Sequence, residues 1–137
     1  MKTPVTYYGG KQSMLKYILP LIIAHTIYVE PFAGSAAVFW EKEPSSVEVL
    51  NDTSQEVINF YRVLQNDFLA LQKEVQATPH SREVHRQAQI VYENSAMFRP
   101  LRHTWAFWVL TCQRYSASLI SGWQYGRSNM VESLIDK

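Results

Sequence analysis

Two hydrophobic periods alternate along the first half of the chain. Ile27-Tyr28-Val29 is a short β-branched and aromatic run, and Val47-Glu48-Val49-Leu50 is a second one, so both read as strands. The first run, without polar interruptions, is expected to be a buried strand. Before it, Leu15, Ile18, Leu19 and Ile22 recur at helical spacing. After the second, Val57, Phe60, Tyr61 and Leu64 mark the core face of a helix that Thr53-Ser54-Gln55-Glu56 should open as a capping box. A further helix is predicted from Asp67 to Gln76 with Phe68, Leu71 and Val75 inward, ended by Thr78-Pro79. Ser81 is placed to cap another, carrying Val84, Ala88, Val91 and Tyr92. Pro100 suits the first position of a long helix, apolar on every side from Trp105 to Cys112 and therefore central and buried, its tryptophans part of the core.

The chemistry-bearing stretch lies between the two strand runs. Pro31 ends the first, since proline cannot donate to a sheet ladder. Gly34 permits a tight turn and close approach of a ligand to the backbone. Ser35-Ala36-Ala37-Val38 then restarts the chain as a helix of small residues. Strand, glycine loop and helix start form the first turn of a nucleotide-binding α/β unit, and Asn51-Asp52 ends the next strand where an acid can accept from both hydroxyls of a ribose. One glycine stands where a dinucleotide fingerprint needs three, so a pyrophosphate is poorly supported. An adenosine ligand without phosphates fits better, which points to S-adenosylmethionine. An ordinary strand-to-helix turn is the alternative.

Upstream, Tyr8-Gly9-Gly10-Lys11 suggests a glycine turn entering a helix, with Lys11 or its loop holding the carboxylate of a methionine-like ligand. The spacing of a Walker loop is absent. An ordinary Gly-Gly turn competes with this reading.

Length and charge refine the picture. The chain has 137 residues, of which 47% are hydrophobic, enough for one modest core. A net charge of +1 predicts no particular partner, but its distribution is uneven. Between His80 and Met130 every Lys/Arg position is an arginine, and the acids are Glu83 and Glu93. A basic second half suits phosphate contact, although a solvated arginine face would look the same. Ser121-Gly122-Trp123-Gln124-Tyr125-Gly126-Arg127 is a glycine-punctuated loop whose aromatic and hydrogen-bonding residues suit base stacking and base-edge reading. Cys112 is expected to act as a small buried hydrophobe. The histidines show no metal-ligand spacing, and Ile18-Leu19-Pro20-Leu21-Ile22-Ile23 is too short to cross a bilayer. No membrane association and a reducing, cytoplasmic setting are the expectations.

These pieces, in this order, resemble the Dam-like adenine-specific DNA methyltransferases. Tyr8-Gly9-Gly10-Lys11 is similar to the family's Gly-Gly-Lys motif, and Val29 to Ser35 resembles its Glu-Pro-Phe-x-Gly motif. Asn51-Asp52 followed by Val57-Ile58-Asn59-Phe60-Tyr61 looks like its Asn-Asp…Leu-Ile-x-x-Tyr segment, and Leu110 to Gly126 resembles the stretch entering target recognition. The resemblance implies an α/β fold: the N-terminal part of a Rossmann-like S-adenosylmethionine-dependent methyltransferase, with residues 1–64 on the cofactor side. Residues 65–137 would then be a mostly helical segment leading into the recognition region. It also implies that Tyr8, Gly10, Lys11, Glu30, Pro31, Phe32, Gly34, Ser35 and Asp52 bind the cofactor. Arg114, Tyr115, Ser116 and Arg127 would contact double-stranded DNA, with Tyr115 filling or propping the duplex where adenine is flipped out. The family's Asp-Pro-Pro-Tyr motif occurs nowhere in the 137 residues, so no catalytic residue is assigned. The chain is therefore expected to be inactive alone. Its half sheet should leave an unpaired strand edge, inviting self-association or a second polypeptide. A non-catalytic DNA-binding or regulatory remnant, or a methyltransferase acting on RNA, is the alternative.

Overall fold

Helices built on the predicted apolar stripes enclose the main core, in a computed structural model that describes residues 3–113 and Trp123. The elements are α1 (Leu15–Ile18), β1 (Ile27–Glu30), α2 (Ala37–Glu41), β2 (Val47–Leu50), α3 (Gln55–Asn66), α4 (Phe68–Gln76), α5 (Arg82–Glu93) and α6 (Pro100–Gln113). Single turns of 3-10 helix, Lys11–Met14 and Leu19–Leu21, flank α1.

α6 is the axis of the core. Pro100 opens it as predicted, and every residue from Thr104 to Thr111 is buried. Around it gather Val57, Phe60 and Val63 of α3, Leu71 and Val75 of α4, and Ala88 and Val91 of α5. Each large side chain removed from water in this way contributes roughly 1.5–3 kcal/mol. Polar contacts fix the helices around that core. Asn59 Nδ2 donates to the Pro100 carbonyl (3.1 Å) and to Thr104 Oγ1 (2.8 Å), tying α3 to α6. Trp105 Nε1 donates to Thr78 Oγ1 (2.7 Å), and the Arg102 guanidinium lies 3.6 Å from the Trp105 ring centre. Ser81 caps α5 as expected, its hydroxyl accepting from Val84 N–H at 3.1 Å. Cys112 is a free, half-buried thiol.

β1 and β2 pair in parallel, Ile27 opposite Val47 and Glu30 opposite Leu50, with α2 in the connection between them. A small second core of Leu15, Ala37 and Val38 supports this unit, with Ile18, Leu19, Ile22 and Tyr28 packed against it. Only one face of the sheet is covered. Ile27, Val29, Val47 and Val49 point to the other face and are 60%, 53%, 50% and 43% exposed. The apolar run at Ile27 to Val29 thus differs from its expectation as a buried strand. Its composition suits a sheet covered on both faces, and here one cover is missing.

Two local expectations also shift. The helix after the glycine loop begins at Ala37, not Ser35, because Ala36 is left-handed at φ 50° and cannot continue a helical turn. The capping box at Thr53 does not form. α3 starts after Ser54, whose hydroxyl donates to Glu56 Oε2 (3.0 Å), while Asp52 Oδ1 accepts from Ser54 N–H (2.9 Å). Asp52 thus closes a turn onto the N-cap residue Ser54, whose own side chain makes no cap hydrogen bond.

Candidate cofactor site

At the C-terminal ends of β1 and β2 the chain builds a closely tied loop. The ladder runs past the strands, with Asn51 N–H donating to the Glu30 carbonyl and Ala33 N–H to the Asn51 carbonyl, both at 2.9 Å. Ala36 N–H then closes a turn on the Ala33 carbonyl at 2.7 Å. Within it Gly34 is left-handed at φ 51°, as the sequence reading of this glycine required. Gly34 N–H donates to Asp52 Oδ2 at 2.8 Å.

Glu30 is the electrostatic centre of the site and only 4% exposed. Lys11 Nζ donates to its Oε1 at 2.8 Å, and the Tyr28 hydroxyl (3.1 Å) and Phe39 N–H (3.2 Å) both donate to Oε2. Phe39 lies in the first turn of α2, so this carboxylate already satisfies a donor that a phosphate would seek. Lys11 also donates to the Phe32 carbonyl at 2.6 Å, which joins the N-terminal glycine turn to the loop. That turn closes through Gly10 N–H on the Tyr7 carbonyl at 3.1 Å. A Cβ on Gly10 would stand 3.0 Å from Ser35 Oγ, so the two motifs touch where glycine leaves room.

The sequence-predicted residues Tyr8, Gly10, Lys11, Glu30, Pro31, Phe32, Gly34, Ser35 and Asp52 therefore lie on or beside this pair of loops. Tyr8 and Phe32 present apolar rings to solvent at 74% and 69% exposure. Each oxygen of Asp52 takes one backbone N–H and keeps a further acceptor position, enough for two hydroxyls of one ligand. Beside the end of β2 an open groove of about 670 Å³ runs past Trp40, Leu50, Asn51, Ile58 and Tyr61. The proposed DNA contacts Arg114, Tyr115, Ser116 and Arg127 lie outside the described residues. Among the described residues, no group of three His, Cys, Asp or Glu side chains could hold a metal ion.

Tyr61 packs against the core as the helical pattern predicts, and it also reaches the loop. Its hydroxyl leaves the core and donates to the Gly34 carbonyl at 3.1 Å. Burial raises its pKa well above the ordinary tyrosine value, with Trp40 partly opposing and the charges of Glu30 and Asp52 adding. Burial and Glu30 do the same to Tyr28. Both hydroxyls therefore stay protonated donors at neutral pH.

A family model described as D12 class N6 adenine-specific DNA methyltransferase matches residues 7–125, most of the sequence and all of the loop system just described. The chain belongs to that family. Among curated relatives of this D12 chain, the Type II methyltransferase M1.LlaDCHI of Lactococcus lactis subsp. cremoris is 37% identical over 62 residues. That match takes in 43% of the D12 chain and spans 21% of the relative's length. The family match encloses every cofactor-side candidate from Tyr8 to Asp52, and it reaches Arg114, Tyr115 and Ser116, with Arg127 just beyond its end. No helix among the described residues is long and apolar enough to cross a membrane.

Proposed function

We propose that this chain carries the S-adenosylmethionine-holding part of an enzyme that methylates the exocyclic amino group of adenine in double-stranded DNA. One observation carries the reading: in a D12 family chain, Asp52 holds the Gly34 loop and still has acceptor positions for a ribose diol. The acid follows the second strand of a β-loop-α-β unit, the place where Rossmann-like folds present a side chain to ribose. Bound there, the cofactor would supply an electrophilic methyl group on a sulfonium centre. The chain's own residues would do the holding. Asp52 would accept from the ribose hydroxyls, and Tyr8 and Phe32 would offer apolar cover. Lys11 and the Gly10 turn would stand at the methionine end, where Lys11 has one donor left after Glu30 and Phe32. The loop's anionic lock at Glu30 supports a ligand without phosphates.

On the DNA side, Arg114, Ser116 and Arg127 would contact the duplex and Tyr115 would fill the space of a flipped adenine. We assign no catalytic residue to this sequence. The uncovered strand face supports association with a second polypeptide or a second copy. A cytoplasmic setting is part of the same reading.

Calorimetric titration of the chain with S-adenosylmethionine, alongside Asp52→Ala, tests it. Saturable binding that falls at least about tenfold in the variant is expected, since the carboxylate's acceptor positions and its grip on the loop go together. Equal binding by both proteins would remove Asp52, and with it the reading, from the site.

A further inference from the structure

Gly34 is gripped from three directions by three separate elements. Asp52, after β2, takes its amide hydrogen at 2.8 Å. Tyr61, on α3, donates to its carbonyl oxygen at 3.1 Å. Tyr7, ahead of the glycine turn, covers its Cα so closely that an added Cβ would stand 3.2 Å from the ring. The turn needs this grip. Gly34 and Ala36 are both left-handed, at φ 51° and 50°, within three positions. Such a backbone persists only where its surroundings over-determine it.

We propose that Tyr61 is a positioning residue for the cofactor loop: its hydroxyl fixes the Gly34 carbonyl and so sets the loop in its ligand-ready form. The inference rests on the cofactor-site reading above and adds a residue to it. Glycine has no side chain to hinder rotation of the following peptide, so losing the carbonyl's partner frees the Gly34–Ser35 peptide unit. Ser35 is buried against Gly10, and its displacement would carry the Lys11 turn with it. Burial keeps the Tyr61 hydroxyl protonated, so it serves as a donor across the working pH range. The ring itself packs edge-on to Phe60, 5.3 Å between centres. Tyr61→Phe keeps that packing and removes only the hydroxyl.

The test compares the full chain with its Tyr61→Phe variant by S-adenosylmethionine titration, by the ¹³C resonance of the Gly34 carbonyl, and by amide exchange across residues 33–36. In the variant we expect roughly two- to tenfold weaker binding, the range one ordinary hydrogen bond commands. The carbonyl resonance should move, and exchange should quicken at 33–36 while β1 and β2 stay protected. A role confined to packing, which the phenyl ring keeps, would leave binding, the carbonyl resonance and local exchange unchanged. That result overturns the proposal. If the wild-type chain fails to bind while the resonance and exchange change as stated, the cofactor-site reading falls for this chain and the positioning role stands. Equal binding by both proteins overturns the link between Tyr61 and the ligand. Should the variant not fold, the wild-type Gly34 carbonyl is read directly in H₂O and D₂O. A solvent-isotope shift beyond the one that deuterating the bonded Ser35 amide produces supports the hydroxyl bond, and its absence overturns it.

Discussion

Lys11 and Glu30 stand 19 positions apart and meet at 2.8 Å, a contact that no periodicity announces. Lys11→Met would leave the Glu30 carboxylate buried with only the neutral donors Tyr28 and Phe39. A loss of about 1–3 kcal/mol in urea unfolding is expected, moderated because Lys11 is itself partly exposed. Gly34→Ala would pay a left-handed penalty of about 1–2 kcal/mol and also crowd Tyr7. Its unfolding midpoint should therefore fall further than that of Gly9→Ala, where an added Cβ meets nothing within 4 Å. The sequence made the loop geometry around Gly34 and Asp52 legible because glycine, proline and a strand-terminal acid are local signals. It left the Tyr61 hydrogen bond to Gly34 unread, because a core-facing aromatic and a loop-holding hydroxyl occupy the same place in a helical pattern.

Helices were legible where their ends carried chemistry. Ser81 and Pro100 set the starts of α5 and α6 as read, and Ser81→Ala should cost about 1 kcal/mol in thermal unfolding by orphaning Val84 N–H. The start of α3 was misplaced by one residue, since Ser54 rather than Thr53 is the N-cap and its hydroxyl turns to Glu56. The link from α2 into β2 depends on a polar cluster that the sequence did not reveal. Lys42, buried under the Tyr28 ring, donates to the Glu48 carboxylate, to Ser45 Oγ at 3.0 Å and to the Glu43 carbonyl at 3.0 Å. The Ser45 hydroxyl and His25 Nε2 lie 2.7 Å apart. Burial alone would raise the Glu48 carboxyl, but the Lys42 hydrogen bond and Ser45 N–H outweigh it and hold it below its ordinary 4.5. A carboxyl lowered on folding stabilises fully above its unfolded value, and that stability drains as pH falls through the folded value. Glu48→Gln should therefore be less stable at neutral pH and lose less than wild type as urea midpoints are followed downward from about pH 5.

Across the whole molecule, the helical core is a matter of matching stripes, whereas the sheet shows what a stripe cannot tell. Ile27 and Val29 read as interior residues but form a bare apolar face with Val47 and Val49, because burial depends on what arrives from elsewhere. Sedimentation velocity should show concentration-dependent association that Val29→Lys with Val47→Lys abolishes. Wild-type protein that stays monomeric throughout the range would contradict that expectation. The core also imposes an order in time. Val5 is buried in the same cluster as Trp105 to Leu110, and the Gly34 carbonyl waits on a hydroxyl 27 residues later. On the ribosome, then, the glycine turn and cofactor loop emerge early yet cannot settle until α3 and then α6 have cleared the exit tunnel.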